Sequence, residues 1–65
     1  MQKQPKSMLN EQEAAEFLGL SVAALRTRRY WRKPPTFVKL GRAVRYRLFD
    51  LERYVSDSRV TPREG

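Results

Sequence analysis

The sequence predicts an α+β fold, mostly α, in the order helix, helix, β-hairpin, closing helix. Three observations predict it. Apolar residues with helical spacing stand on either side of Gly19. The period then drops to two around Gly41-Arg42-Ala43. It returns to helical spacing at Leu51, Tyr54 and Val55. At 65 residues the chain has room for one small domain. A domain of this size buries only about 60% of its unfolded surface, so its core is small.

Residues 1–7 are polar, carry a proline and have no apolar period, so they are expected to form a disordered arm. Leu9 opens the folded part. Asn10 is an N-cap residue and Glu13 completes an Asn-x-x-Glu capping box. Glu11, Glu13 and Glu16 also complement the positive end of the helix dipole. Ala14, Phe17 and Leu18 make the apolar face, and Gly19 supplies a left-handed stop, so the first helix is expected over about 11–18. Ser21 is the N-cap of a second helix, with Leu20 and Leu25 at the spacing of a hydrophobic staple. That helix is expected to end near Arg32 or Lys33, because Pro34 and Pro35 forbid its continuation.

Val38, Leu40, Val44, Tyr46 and Leu48 then alternate with Lys39, Arg45 and Arg47. If Leu40 and Val44 share a face they should pair across a three-residue loop at 41–43, giving one apolar and one basic face. Leu51, Tyr54 and Val55 predict a short closing helix with Asp50 near its start. The domain is expected over 8–56 and a second disordered tail over 57–65.

Charge narrows the function. The chain carries 14 Lys and Arg against 7 Asp and Glu, a net charge of +7, and it has neither histidine nor cysteine. Catalytic triads, Cys/His zinc sites and disulfide scaffolds are therefore excluded or nearly so. Without a long apolar run or a signal segment, the expected location is cytoplasmic, at the nucleoid. No acidic residue occurs from Phe17 to Phe49, a stretch holding Arg26, Arg28, Arg29, Arg32, Lys33, Lys39, Arg42, Arg45 and Arg47. A one-sided block of this kind attracts a polyanion, the alternative being a lopsided but idle surface.

Helix, tight turn and helix in tandem is a specific arrangement. Ala15 is small where the helices would cross, Gly19 makes the turn, and Leu25 plugs the angle between them. An ordinary αα-hairpin is the alternative; the basic hairpin that follows favours DNA binding. The segments LNEQEAAEFLGLSVAALR, VKLGRAVRYR and DLERYV together resemble the excisionase-type, MerR-like winged helix-turn-helix family. That family includes small excisionases (recombination directionality factors) and AlpA-like regulators of prophages and other mobile elements. The resemblance spans about 9–55. It implies a supporting first helix, a second helix in the major groove, a hairpin wing and a helix that closes the core. The chain departs from the family in having Arg28 where a tryptophan is frequent, Arg32-Lys33-Pro34-Pro35 where a glycine turn is frequent, and Phe49 in place of a serine.

The outward side of the second helix is expected to hold Ser21, Ala23, Ala24, Arg26, Thr27 and Tyr30, the major-groove set. Arg26 suits bidentate reading of guanine, Thr27 a thymine methyl or a phosphate, and Ser21 a phosphate at the helix N-terminus. Ala23 and Ala24 permit close approach. A solvated arginine and a packing tyrosine are the alternatives for Arg26 and Tyr30. Arg28, Arg29, Arg32, Lys33 and Lys39 are expected on the DNA backbone, and Arg42, Arg45 and Arg47 on the wing, with Arg42 reaching the minor groove. For Arg47 the alternative is an internal pair with Asp50 or Glu52. Trp31 and Phe37 are expected to pack in the core or at its rim rather than stack on bases.

The expected partner is double-stranded DNA, bound without catalysis and without metal, cofactor, small-molecule ligand or membrane. One module buries only about 600–1,000 Å² of protein surface, so cooperative self-association on DNA, or help from an integrase, is expected. An excisionase and a small transcriptional regulator would use the same residues; the small size leans towards the excisionase. A basic RNA-binding protein is the remaining class, disfavoured because the aromatics are not arrayed on strands.

Overall fold

In a computed structural model of the chain, residues 7–62 are described. They form three helices and a three-stranded antiparallel sheet, so the α+β expectation holds. The expected arm at 1–6 and the last residues of the expected tail, 63–65, lie outside the described residues.

The first strand, β1 (Met8–Leu9), has no sequence signal of its own. It pairs with the strand that precedes the last helix, and the Ser7 carbonyl accepts the Leu48 N–H at 2.9 Å. The fold therefore takes in Ser7, which the sequence assigned to a disordered arm. Two residues are too short for a period to show.

Helix α1 (Glu11–Leu18) has the expected bounds. The Asn10 side chain accepts the Glu13 N–H at 2.8 Å, and the Glu13 carboxylate accepts the Asn10 N–H at 2.9 Å. Gly19 has φ +71°. Its N–H donates to Glu16 and the Leu20 N–H to Ala15, at 3.2 and 2.9 Å, which is a Schellman stop. The buried face differs from expectation. Ala14 and Ala15 are buried while Phe17 is 47% exposed. The face centres on Ala14, Ala15 and the half-buried Leu18, and at 3.6 residues per turn Phe17 lies about 100° round from it.

Helix α2 (Val22–Tyr30) starts at Ser21, whose hydroxyl oxygen accepts the Ala24 N–H at 3.0 Å. Leu25 is fully buried and shares the core cluster with Ala14 and Ala15 of α1, Ala15 being 3% exposed. The helix ends before the Arg32 or Lys33 predicted from the prolines. The stop is Arg32, held left-handed at φ +57°. Its N–H donates to Arg29 and the Lys33 N–H to Arg28, at 3.0 and 2.8 Å, repeating the Gly19 stop without a glycine. A left-handed L-residue costs roughly 1–2 kcal/mol, so sequence rules do not place one there.

The hairpin pairs β2 (Val38–Leu40) with β3 (Ala43–Arg47). The expected register is off by one residue. Leu40 faces Ala43 and Lys39 faces Val44, across a two-residue Gly41-Arg42 loop. Gly41 has φ +64° and Arg42 a negative φ, the requirement of a type II′ reversal. A one-residue slip swaps the faces. Val38 and Leu40 therefore share a face with Arg45 and Arg47, and Leu40 is 56% exposed. Phe37 takes the core-facing side of the strand given to Val38, packing half-buried against Tyr46 with ring centroids 6.2 Å apart. The larger ring is the better filler beside Tyr46, and the glycine permits the shorter loop that puts it there.

Helix α3 (Leu48–Asp57) follows β3 without a loop. It begins earlier than Asp50 and takes in Asp57, which the sequence assigned to the tail. Leu51 is fully buried, Tyr54 half-buried and Val55 47% exposed. Leu9, Ala14, Ala15, Leu25, Tyr46 and Leu51 make the core, one or two residues from almost every element. Among the described residues no helix is long and apolar enough to cross a membrane.

Candidate nucleic-acid interface

With Leu25 buried and Val22 packed against the core, α2 turns Ala23, Ala24, Arg26, Thr27 and Tyr30 outwards, and Ser21 is exposed at its start. This agrees with the expected face. Two of its polar groups already have partners. Ser21 caps the helix, and the Thr27 hydroxyl donates to the Ala23 carbonyl at 3.0 Å. Tyr30 is 77% exposed.

Arg26 projects from this face but does not stand alone. Its Nε lies 3.2 and 3.1 Å from the two Glu11 carboxylate oxygens, and its Nη2 donates to the nearer one. The side chain stays 61% exposed. Glu11 belongs to the first turn of α1, so the pair also ties the two helices together.

Arg29 is a correction. Expected on the DNA backbone, its side chain is only 22% exposed. Nη1 donates to the Tyr46 hydroxyl at 3.0 Å and lies 3.4 Å from Glu11, while the guanidinium sits over the Phe37 ring. It lies on the side of α2 facing the hairpin, where a buried tyrosine hydroxyl needs a donor. Arg28 is drawn in likewise. Its Nε donates to the Pro34 carbonyl and its guanidinium lies 5.4 Å from the Tyr54 ring centre. Both arginines brace α2 rather than reach outwards.

Arg32, Lys33, Lys39 and Arg42 are exposed and make no ion pair among the described residues. Arg45 is half-buried and donates to the Val44 carbonyl at 2.8 Å. Arg47 pairs with Asp50 through Nε at 2.8 Å and Nη2 at 3.2 Å, so the internal alternative is the one found. Its place as N-cap of α3 puts Asp50 one helical turn away.

Several of these groups, though not Lys39 or Arg47, line two clefts flanking α2. One, of about 870 Å³, lies between the start of α1, α2 and the hairpin, and Glu11, Arg26, Arg29, Arg42 and Arg45 line it. The other, of about 560 Å³, is lined by Tyr30, Arg32, Lys33, Pro35 and Phe37 among others. Trp31 was expected to pack but is 64% exposed, edge-on to Tyr30 with centroids 5.1 Å apart. The early end of α2 turns it away from the core. Phe37 packs at the rim as expected.

The sequence missed Glu11 and Tyr46 as organisers of this surface. Glu11 reads from sequence as a dipole partner, and no local rule links it to arginines 15 and 18 residues on. The hydrogen bonds from Arg26 hold the Glu11 carboxyl below its ordinary value of 4.5, and those from Arg47 hold Asp50 below 3.8. Groups with lowered native pKa stabilise the fold above their unfolded values and lose that contribution as pH falls through the native ones. Stability measured by urea denaturation is therefore expected to be level above about pH 5 and to fall below about pH 4. Glu11→Gln should flatten part of that fall, and an unchanged acid limb would contradict the pairing.

No group of three or more His, Cys, Asp or Glu side chains able to hold a metal occurs among the described residues. No known family model matches the chain, and no curated protein matches it in sequence.

Proposed function

We propose that this protein is a winged helix-turn-helix accessory factor that binds double-stranded DNA sequence-specifically. In this reading α2 is the recognition helix, lying in the major groove, and the β2–β3 hairpin is the wing, resting on the backbone or minor groove. The carrying observation is the exposed face of α2, small at Ala23 and Ala24 and cationic at Arg26, beside a cleft it shares with Arg42 and Arg45 of the hairpin. The family resemblance of the sequence makes an excisionase of a phage or mobile element the specific form proposed, with cooperative self-association on DNA and an integrase as partners. A small transcriptional regulator would use the same surface. Binding, not catalysis, is the proposed activity.

The assignments divide by role. Arg26 and Thr27 read bases, with Tyr30 at the far end of the same face. Arg32, Lys33, Lys39, Arg42 and Arg45 contact phosphates, while Arg28, Arg29 and Arg47 support them. With about five phosphates neutralised, log K should fall with log salt at a slope of about −4 to −5. Selection from a pool of randomised duplexes, followed by titration of the selected and scrambled duplexes at several salt concentrations, tests this. A reproducible selected motif with that slope supports the reading. No preference over scrambled duplex, or tighter binding to structured RNA at equal salt, sinks it. A band supershifted by an integrase on the selected duplex would favour excision, and promoter repression alone would favour regulation.

A further inference from the structure

We infer that Glu11 is a positioning residue for base selection: it braces Arg26 so that the free end of the guanidinium faces a base edge, and its charge turns phosphate away. The inference rests on the DNA-binding reading above and names the residue that makes that binding selective.

The geometry of the pair carries it. A guanidinium has two edges suited to bidentate contact, the side edge of Nε and one terminal nitrogen, and the end edge of both terminal nitrogens. Glu11 occupies the side edge of Arg26, through Nε and Nη2. Nη1 makes no hydrogen bond to a described residue, so the end edge is left for another acceptor pair. Guanine presents such a pair, O6 and N7, in the major groove. Arg26 does not have to release Glu11 in order to read it.

The surroundings supply the second half. Among the described residues, Glu11 is the one acidic side chain in a cleft lined by Arg26, Arg29, Arg42 and Arg45. It lies within reach of two of these arginines, at 3.4 Å from Arg29. An anionic phosphate entering beside Arg26 meets this carboxylate as a like charge, whereas a neutral base edge does not. Discrimination needs such a repulsive element as well as an attractive one. A freely swinging arginine would take any phosphate in reach and add affinity without preference. Glu11 itself sits in a firm position: it is in the first turn of α1, next to the Asn10 cap, and its side chain is 26% exposed.

The test compares wild type, Glu11→Gln, Arg26→Ala and the double variant on the duplex selected by wild type and on its scramble, with thermal unfolding measured alongside. Glutamine keeps the shape and one acceptor oxygen but removes the charge. The expected result for Glu11→Gln is a loss of about tenfold in the ratio of selected to scrambled affinity, with scrambled affinity unchanged or raised and the salt slope steeper by up to about one. In the Arg26→Ala background the same substitution should leave the ratio unchanged, since Glu11 acts through Arg26. Glu11→Asp, which keeps the charge, should recover part of the ratio. A purely structural role would lower both affinities together and the melting temperature with them. The inference is overturned if Glu11→Gln leaves the ratio as in wild type, or if its effect persists without Arg26. If wild type itself selects no motif, it is the DNA-binding reading that has failed.

Discussion

Replacing Leu25 by alanine is expected to leave the chain largely unfolded at 25 °C. Leu25 is fully buried, one of six buried hydrophobic residues that form the core among the described residues. Leucine-to-alanine changes at buried sites cost about 2–5 kcal/mol, the upper end applying where the surroundings cannot collapse. Here they are constrained: Ala14 and Ala15 are already small, and Tyr46 is fixed by its hydrogen bond with Arg29. A single core in a domain of this size rarely supplies more than about 3–5 kcal/mol in total. The loss is therefore comparable with the whole stability. Far-UV circular dichroism through a urea titration checks it. Leu25→Met, which nearly conserves volume, should cost less than about 1.5 kcal/mol and keep the cooperative transition. A Leu25→Ala protein with an unshifted midpoint would mean that Leu25 is not part of the packed core.

The second large effect is on recognition. Arg26→Ala should reduce the discrimination between selected and scrambled duplex by about 1–3 kcal/mol, the range of one bidentate base contact. Lys39→Ala should instead weaken both duplexes almost equally and make the salt slope shallower by about one. The contrast follows from position. Arg26 projects from the exposed face of α2, whereas Lys39 is an exposed cation on the outer strand of the hairpin, with no ion pair among the described residues. Removing Arg26 also frees Glu11, so part of the measured change belongs to the pair rather than to the arginine alone. If both substitutions acted alike, α2 would not be the reading element. Binding titrations on the two duplexes, at matched salt, make the comparison directly.

How far the surface was legible depends on the range of the interactions that set it. Outward-facing Ala23, Ala24, Arg26, Thr27 and Tyr30 follow from the position of Leu25 and the helical period alone. The inward turn of Arg28 and Arg29 does not. Their partners are Pro34 and Tyr54 in one case, and Tyr46, Phe37 and Glu11 in the other. Within the run Arg28-Arg29-Tyr30-Trp31-Arg32-Lys33, braces and free cations look identical in sequence. Only what each one faces separates Arg28 and Arg29 from Arg32 and Lys33.

What the sequence by itself determined is what local chemistry controls. The Asn10–Glu13 capping box, the left-handed Gly19, the Ser21 cap and the helical spacing place α1 and the start of α2, because each partner lies within a turn of the other. The alternation about Gly41 likewise announces a hairpin. Tertiary structure alone decided the rest. It set the hairpin register, where Phe37 against Tyr46 and the two-residue loop outweigh the Leu40 to Val44 pattern. It recruited Met8 and Leu9 into the sheet and tied Ser7 to the start of α3, through partners about forty positions on. It placed Arg32 in a left-handed turn that its own preference opposes. And it joined Glu11 to Arg26, because closing the angle between two helices brings together side chains that no spacing along the chain relates.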